Sequence, residues 1–257
     1  MRTLLCATLL AAAAAAQSQT FTVPPLTLPN NNTNLPISAG IGRYQQWYAA
    51  SDVTAVLNQP MRFERLALLA GSGQTTNATT IDAEVAIGLG FAGGLTGQFE
   101  SNFAQPRTIV FPRGNLALNA GSAGQVVLTV NFATFFTWDG LSPIVVDIRV
   151  FGNGRGNAAF NYDFLCTLAG PLHVSRVYAA NNATATSGSP LPSSGLFTRF
   201  TARPGVTIPY GNGCPGSNFI TPVASVSGIP QPASAWTHQV GQAAPQQLAL
   251  LVMGVSN

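Results

Sequence analysis

Val126-Val127-Leu128-Thr129-Val130-Asn131-Phe132 and, after a short break, Ile144-Val145-Val146-Asp147-Ile148-Arg149-Val150-Phe151 are the stretches that decide the fold class. In the first, Val126, Leu128, Val130 and Phe132 alternate with Val127, Thr129 and Asn131. In the second, Ile144, Val146, Ile148 and Val150 alternate with Val145, Asp147, Arg149 and Phe151. A side-chain period of two belongs to a pleated strand with one face turned to a core, so both runs predict long strands. The same period recurs outward from them. Met61, Phe63, Arg65 and Ala67 alternate with Arg62, Glu64 and Leu66, and Ile81, Ala83, Val85 and Ile87 alternate with Asp82, Glu84 and Ala86.

Shorter strand-like runs continue the series at Thr108-Ile109-Val110-Phe111, stopped by Pro112, and at Ala159 to Cys166, His173 to Tyr178 and Leu196 to Thr201. Turns rich in Gly and Asn separate the runs, for example Gly71-Ser72-Gly73 and Gly152-Asn153-Gly154. Arg43 to Ala50 lacks strand alternation and reads as one or two helical turns ending before Ser51-Asp52. A parallel α/β fold needs crossover helices, and none can be assigned. The expected architecture is therefore all-β, an antiparallel β-sandwich of jelly-roll or Ig-like type.

Composition narrows the function classes. The chain has 257 residues, 46% of them hydrophobic and 7% charged, with eleven Arg or Lys, all of them Arg, and a net charge of +3. So few and scattered cations make no nucleic-acid footprint, which depends on clustered charge to release counterions. No apolar run reaches the roughly 18 to 20 residues of a spanning helix, so no membrane span is expected.

Four regions are expected along the chain. Met1-Arg2-Thr3, an apolar stretch from Leu4 to Leu10 and alanines up to Ala16 read as a secretory signal peptide over residues 1–16, which places the mature chain outside the cell or at its surface. Residues 17–38 form a Pro-, Asn- and Thr-rich segment in which Phe21-Thr22-Val23 can join a sheet as an edge strand. Residues 39–205 carry the sandwich, and residues 206–257 a small C-terminal β-module with strand-like pieces at 222–228 and 248–254. The last piece has no successor to pair with, so the module reads either as truncated or as taking its missing partner strand from the sandwich.

Arg43-Tyr44-Gln45-Gln46-Trp47-Tyr48, Val146-Asp147-Ile148, Ser175-Arg176-Val177-Tyr178-Ala179 and Gly213-Cys214-Pro215-Gly216-Ser217 resemble a family of uncharacterised secreted bacterial β-sandwich proteins with a Cys-Pro-Gly-Ser-bearing C-terminal module. The resemblance implies a longer module with a second Cys downstream, which this sequence lacks, and it brings no catalytic residues. Cys166 and Cys214 can bridge each other, closing a loop of about 48 residues worth roughly 4 kcal/mol in chain entropy. The alternative is an unpaired or intermolecular Cys214.

The residues that could carry chemistry are few. Gly88 to Gly93 has GxGxxG spacing but runs on into Gly94, Gly97 and Pro106 where a nucleotide site needs a helix N-terminus. No GxSxG is present, and His173 and His238 read as surface or packing histidines. No metal site and no cofactor are expected, because two His and two mature Cys stand at no ligand spacing. Asp82 with Glu84, Asp147 and Asp163 are the carboxylates a glycosidase could use, against a solvated outer face paired with Arg. Tyr44, Trp47 and Tyr48 in one segment and Trp138, read as lying in a loop beside Asp139, are the ligand-binding candidates, since sugars stack on flat aromatic faces, against core packing of the same rings. The expected role is a secreted structural or interaction protein, with a carbohydrate- or cell-wall-binding module next and a glycoside hydrolase after it.

Overall fold

Runs of alternating, β-branched and aromatic residues pair with one another along the chain, and each pairing is antiparallel. The computed structural model describes residues 18–57, 59–170 and 172–204, together with the backbone of 223–227 and 237–241. In chain order the elements are β1 (Gln19–Val23), β2 (Asn30–Thr33), β3 (Gly42–Tyr48), α1 (Ala50–Thr54), β4 (Met61–Leu69), β5 (Thr79–Leu89), β6 (Thr108–Leu118), β7 (Val126–Trp138), β8 (Ile144–Asn153), β9 (Phe164–Thr167), β10 (Val174–Ala180), β11 (Ser189–Leu191), β12 (Gly195–Leu196) and β13 (Thr198–Pro204). A 3-10 turn at Glu100–Asn102 interrupts the connection from β5 to β6. The unit Gln17–Pro204 holds all of these. The second unit comprises Met1–Ala16 and Gly205–Asn257, and its described part is the antiparallel pair of β14 (Val223–Ser227) and β15 (Thr237–Gly241).

Ten strands form one sheet in the order β1-β13-β4-β7-β6-β5-β8-β3-β10-β11, and β12-β9-β2 form a smaller one. The large sheet is curled, and β6 and β7 at its middle share the paired position Leu118 with Leu128. Its two halves then face each other. Tyr48 of β3 meets Phe200 of β13 edge to face at 5.7 Å, and Phe63 of β4 lies 5.3 Å from Phe200 and 5.9 Å from Phe136. Phe164 and Cys166 of β9 and Leu196 of β12 join the same core, and Val53 and Leu57, in and just after α1, close it at one end. The fold is an all-β sandwich, as the strand pattern predicts.

Three local expectations are corrected. Arg43 to Tyr48 belongs to strand β3, not to helical turns, and α1 starts only at Ala50. All seven residues of β3 are buried, because its neighbours β8 and β10 flank it and both of its faces are covered, which removes the polar-out signature of a half-exposed strand. Pro112 does not stop β6. Phe111 pairs with Val85 and Gly114 with Ala83, so Pro112 and Arg113 bulge opposite Glu84, where a missing N–H breaks no ladder bond. Trp138 is the last residue of β7, not a loop residue.

Residues 17–38 are woven into the fold. β1 pairs with β13 at the edge of the large sheet, and the polar run Asn30–Thr33 pairs with β9. The signal-peptide segment and the strand-like piece at 248–254 lie outside the described residues.

Candidate functional site

Strand β3 sorts its side chains to two faces, and the polar ones act as clamps. On the outer face Arg43 donates to the carbonyl of Ala185 at 2.8 Å, Gln45 to that of Phe99 at 3.0 Å, and the Trp47 indole N–H to that of Phe91 at 2.8 Å. Asn102 returns a bond to Gln45 Oε1 at 2.9 Å. Together these groups tie down the segment Phe91 to Arg107, whose Phe99 is fully buried. On the inner face the Tyr44 hydroxyl donates to Gln46, which in turn holds the N–H and carbonyl of Leu196 at 2.7 Å each. The Tyr48 hydroxyl pairs with that of Thr198. Each buried polar tip thus finds a partner, the condition for placing such groups inside a sandwich.

That geometry corrects the reading of the aromatic residues as sugar platforms. Tyr44, Trp47, Tyr48 and Trp138 are all buried. Trp138 donates its indole N–H to the carbonyl of Ser142 at 2.7 Å and lies in the core with its ring 6.4 Å from that of Phe63, the planes tilted at 47°. A ring without an open face cannot stack on a ligand. Arg43-Tyr44-Gln45-Gln46-Trp47-Tyr48 is a structural clamp.

Above β3 and β8 lies a cluster of three Arg and three acids. Asp147, 1% exposed, accepts from Arg43 Nε at 3.1 Å and Nη2 at 2.5 Å, a two-pronged pairing. Arg43 continues to Glu100 at 2.8 Å and lies 4.5 Å over the Phe99 ring. Glu100 also pairs with Arg107 and, at 3.2 Å, with Arg149, which reaches Glu84 at 3.4 Å. Hydrogen bonding from Arg107, then from Arg43, holds the Glu100 carboxyl at about 2 although burial works the other way. Beside the cluster a groove of about 300 Å³ is lined by Glu100, Phe103, Ala104, Gln105, Pro106 and Arg107.

The cluster is a poor acid–base centre. A glycosidase needs one carboxyl kept protonated and one free to attack or to activate water. Here Asp82 is held by Arg113 at 2.7 Å, Glu84 by Arg149, Asp147 by Arg43, and Asp163 accepts the Gln74 N–H at 2.6 Å. Asp82 and Glu84 match the expected partly solvated face, whereas Asp147 is buried beneath the segment that covers it. Among the described residues no group of three or more His, Cys, Asp or Glu is placed to hold a metal ion. Cys166 is buried in β9 and has no disulfide partner among the described residues; burial pushes its thiol pKa up. Cys214, the expected bridging partner of Cys166, lies outside the described residues, as does the side chain of His238.

A different region gathers at the end of the sandwich where β3 finishes. Tyr48 pairs with Ile144 on one side and Val174 on the other, so the loops leading into β8 and β10 stand beside each other there. Trp138 pairs with Met61, which brings the 55–60 connection to the 139–143 turn, and Gly90 donates to the carbonyl of Pro143 at 2.8 Å. These loops carry exposed Val56, Phe91, Leu141, Leu168 and Leu172, of which Leu141 and Leu172 are each 79% exposed, the highest values among the large apolar side chains of the described residues. His173 follows Leu172 and binds the buried carboxylate of Asp52 on α1 through Nδ1 at 2.9 and 3.0 Å. Burial raises the Asp52 pKa, with His173 acting against it. Sequence reading missed this end: a lone Leu in a turn has no periodicity, and Asp52 and His173 are 121 residues apart.

Compared with known proteins, the chain matches no family model, no curated protein and no solved structure. The resemblance to the secreted β-sandwich family therefore rests on its short motifs alone, and the first of these is the β3 clamp.

Proposed function

We propose that the mature chain is exported and acts as an extracellular structural or interaction protein that engages its partner through the loop end of the sandwich. One observation carries the reading: the two most exposed large apolar side chains among the described residues, Leu141 and Leu172, stand on adjacent loops at that end with Val56, Phe91 and Leu168. Apolar side chains gathered this way mark interaction sites more often than chance exposure. Export is supported by the signal-like pattern of residues 1–16. Binding is favoured over catalysis because the carboxylates are committed to guanidiniums or to a backbone N–H.

The partner class is a polysaccharide or another component of the cell surface. Incubation of the purified mature protein with insoluble polysaccharides and cell-wall preparations tests this. Specific depletion from solution that is lost in Leu141→Asp and Leu172→Asp is the expected result. No depletion by any preparation, or depletion that both variants retain, overturns it.

A further inference from the structure

We infer that the outer face of β13 and β4 is a second binding surface, one that takes an anionic polysaccharide. That the anion is a polysaccharide rests on the exported role proposed above; the charge of the face does not. The cations lie scattered along the sequence, and the fold gathers them. Phe63 and Leu66 of β4 and Phe200 and Ala202 of β13 belong to the core, so Arg62, Arg65, Arg199, Thr201 and Arg203 lie on the opposite face. The register sets Arg203 opposite Arg62 and Thr201 opposite Arg65, with Arg199 one step along, opposite Ala67. Four arginines thus stand on a stripe about 13 Å long and one strand spacing, about 5 Å, wide.

This stripe holds the excess positive charge. Glu64, the acid beside it, is shared by Arg203 and Arg62. Arg65 and Arg199 pair with no acid among the described residues. Outside the stripe and Glu64, residues 17–257 hold six Arg against seven acids, so the surplus of cations belongs to these four. Residues 205–257 contain no Asp or Glu, so no side chain from there can neutralise them. Asp139, the next acid along β7, lies past the strand's end and accepts the N–H groups of Leu141 and Ser142. Like charges set directly opposite each other destabilise a sheet, a cost that an anion bound across them removes.

The arginines are also held in place. Arg62 lies 3.6 Å over the Phe135 ring and Arg203 5.8 Å from it, which makes Phe135 their floor and not a ligand contact. Arg65 donates through Nε and Nη2 to Thr201 Oγ1 at 3.2 and 3.0 Å, and Thr201 Oγ1 lies 3.1 Å from that of Thr20. Guanidiniums fixed before contact lose little freedom on binding, and their free N–H groups fit the paired oxygens of a carboxylate or sulfate. Thr20 and Thr22 of β1 flank the stripe on one side, and Thr129, Asn131 and Thr137 of β7 on the other. Such hydroxyls and amides suit sugar hydroxyls. A single-stranded nucleic acid would want open aromatic faces for its bases, and the ring beside the stripe already carries Arg62.

Retention of the full mature chain on dextran sulfate beads, with uncharged dextran beads as the blank and soluble polygalacturonate as competitor, tests the inference. Retention that salt and polygalacturonate both release is expected. Arg65→Gln and Arg199→Gln should each weaken it by about tenfold. Arg155→Gln, which removes the same charge from the exposed turn after β8, should leave it unchanged. Unshifted melting temperatures show that the variants fold. No retention, retention that survives both substitutions on the stripe, or an equal loss in Arg155→Gln overturns the inference. Absence of retention while a cell-wall preparation still depletes the protein through Leu141 and Leu172 overturns this face and leaves the loop-end reading standing. Retention lost in the arginine variants, with depletion indifferent to Leu141→Asp and Leu172→Asp, supports this face and overturns the loop end. Tighter binding of a single-stranded oligonucleotide or of phosphatidylglycerol vesicles through the same arginines overturns the polysaccharide in favour of that polyanion.

Discussion

Arg43 of β3 and Asp147 of β8 form a two-pronged ion pair sealed beneath the segment Phe91 to Arg107, with 2% and 1% of their side chains exposed. Removing one partner of such a pair leaves the other charge buried without compensation, a loss of about 3 to 5 kcal/mol. Asp147→Asn should lower the urea midpoint accordingly with the m-value unchanged. Arg43→Met combined with Asp147→Leu should recover much of that loss, because no lone charge remains. A single variant as stable as the parent would show the pair to be idle.

Glu100 makes stability depend on acid. Its folded pKa is about 2 against an ordinary 4.5, so the unfolded chain binds the proton first as pH falls. Its contribution is present above about 4.5 and disappears as pH drops through the folded value. The side chain is 59% exposed, so solvent screening keeps the effect small. Melting temperatures measured down this range should fall less steeply in Glu100→Gln than in the parent. Parallel curves would contradict the pairing with Arg107 and Arg43.

The buried tryptophans act on stability. Trp47→Ala and Trp138→Ala should each cost about 3 to 5 kcal/mol through lost packing. Trp138→Phe keeps most of the ring and gives up the bond to Ser142, for roughly 1 to 3 kcal/mol. Binding to any retained preparation should be the same in the folded Trp47→Phe protein as in the parent; a selective loss of binding there would restore the ring as a ligand contact.

Cys166 should resist alkylation in the native protein, since it is buried and its thiol pKa is raised. Denaturant without reductant should make it reactive, as read by mass spectrometry of the peptide that contains it. Labelling that appears only after reduction would instead show a disulfide to Cys214.

Periodicity made much of the sandwich legible. β5 and β8 keep an apolar set on one face, and their turns are marked by glycine and asparagine. β3 was illegible for the opposite reason: Arg43, Gln45 and Gln46 are polar and buried, and their partners lie 142, 54 and 150 residues away. Nothing local announces a polar residue whose bond is made at that distance. β2 hid in a run of three asparagines, with Thr33 its one β-branched residue and no aromatic. The loop end escaped because Leu141 and Leu172 matter through their neighbours in space, while Tyr44, Trp47, Tyr48 and Trp138 drew notice through residue type alone.

Hydroxyl-radical footprinting of the mature protein, free and engaged with the cell-wall preparation that depletes it, tests the central claim most directly. Oxidation at Phe91, Leu141, Leu168 and Leu172 should fall on engagement while Ile109 and Phe135, exposed elsewhere on β6 and β7, react as before. Protection at Ile109, Phe135 or the groove from Phe103 to Arg107, with the loop end still reactive, would place the interaction surface elsewhere and contradict the account.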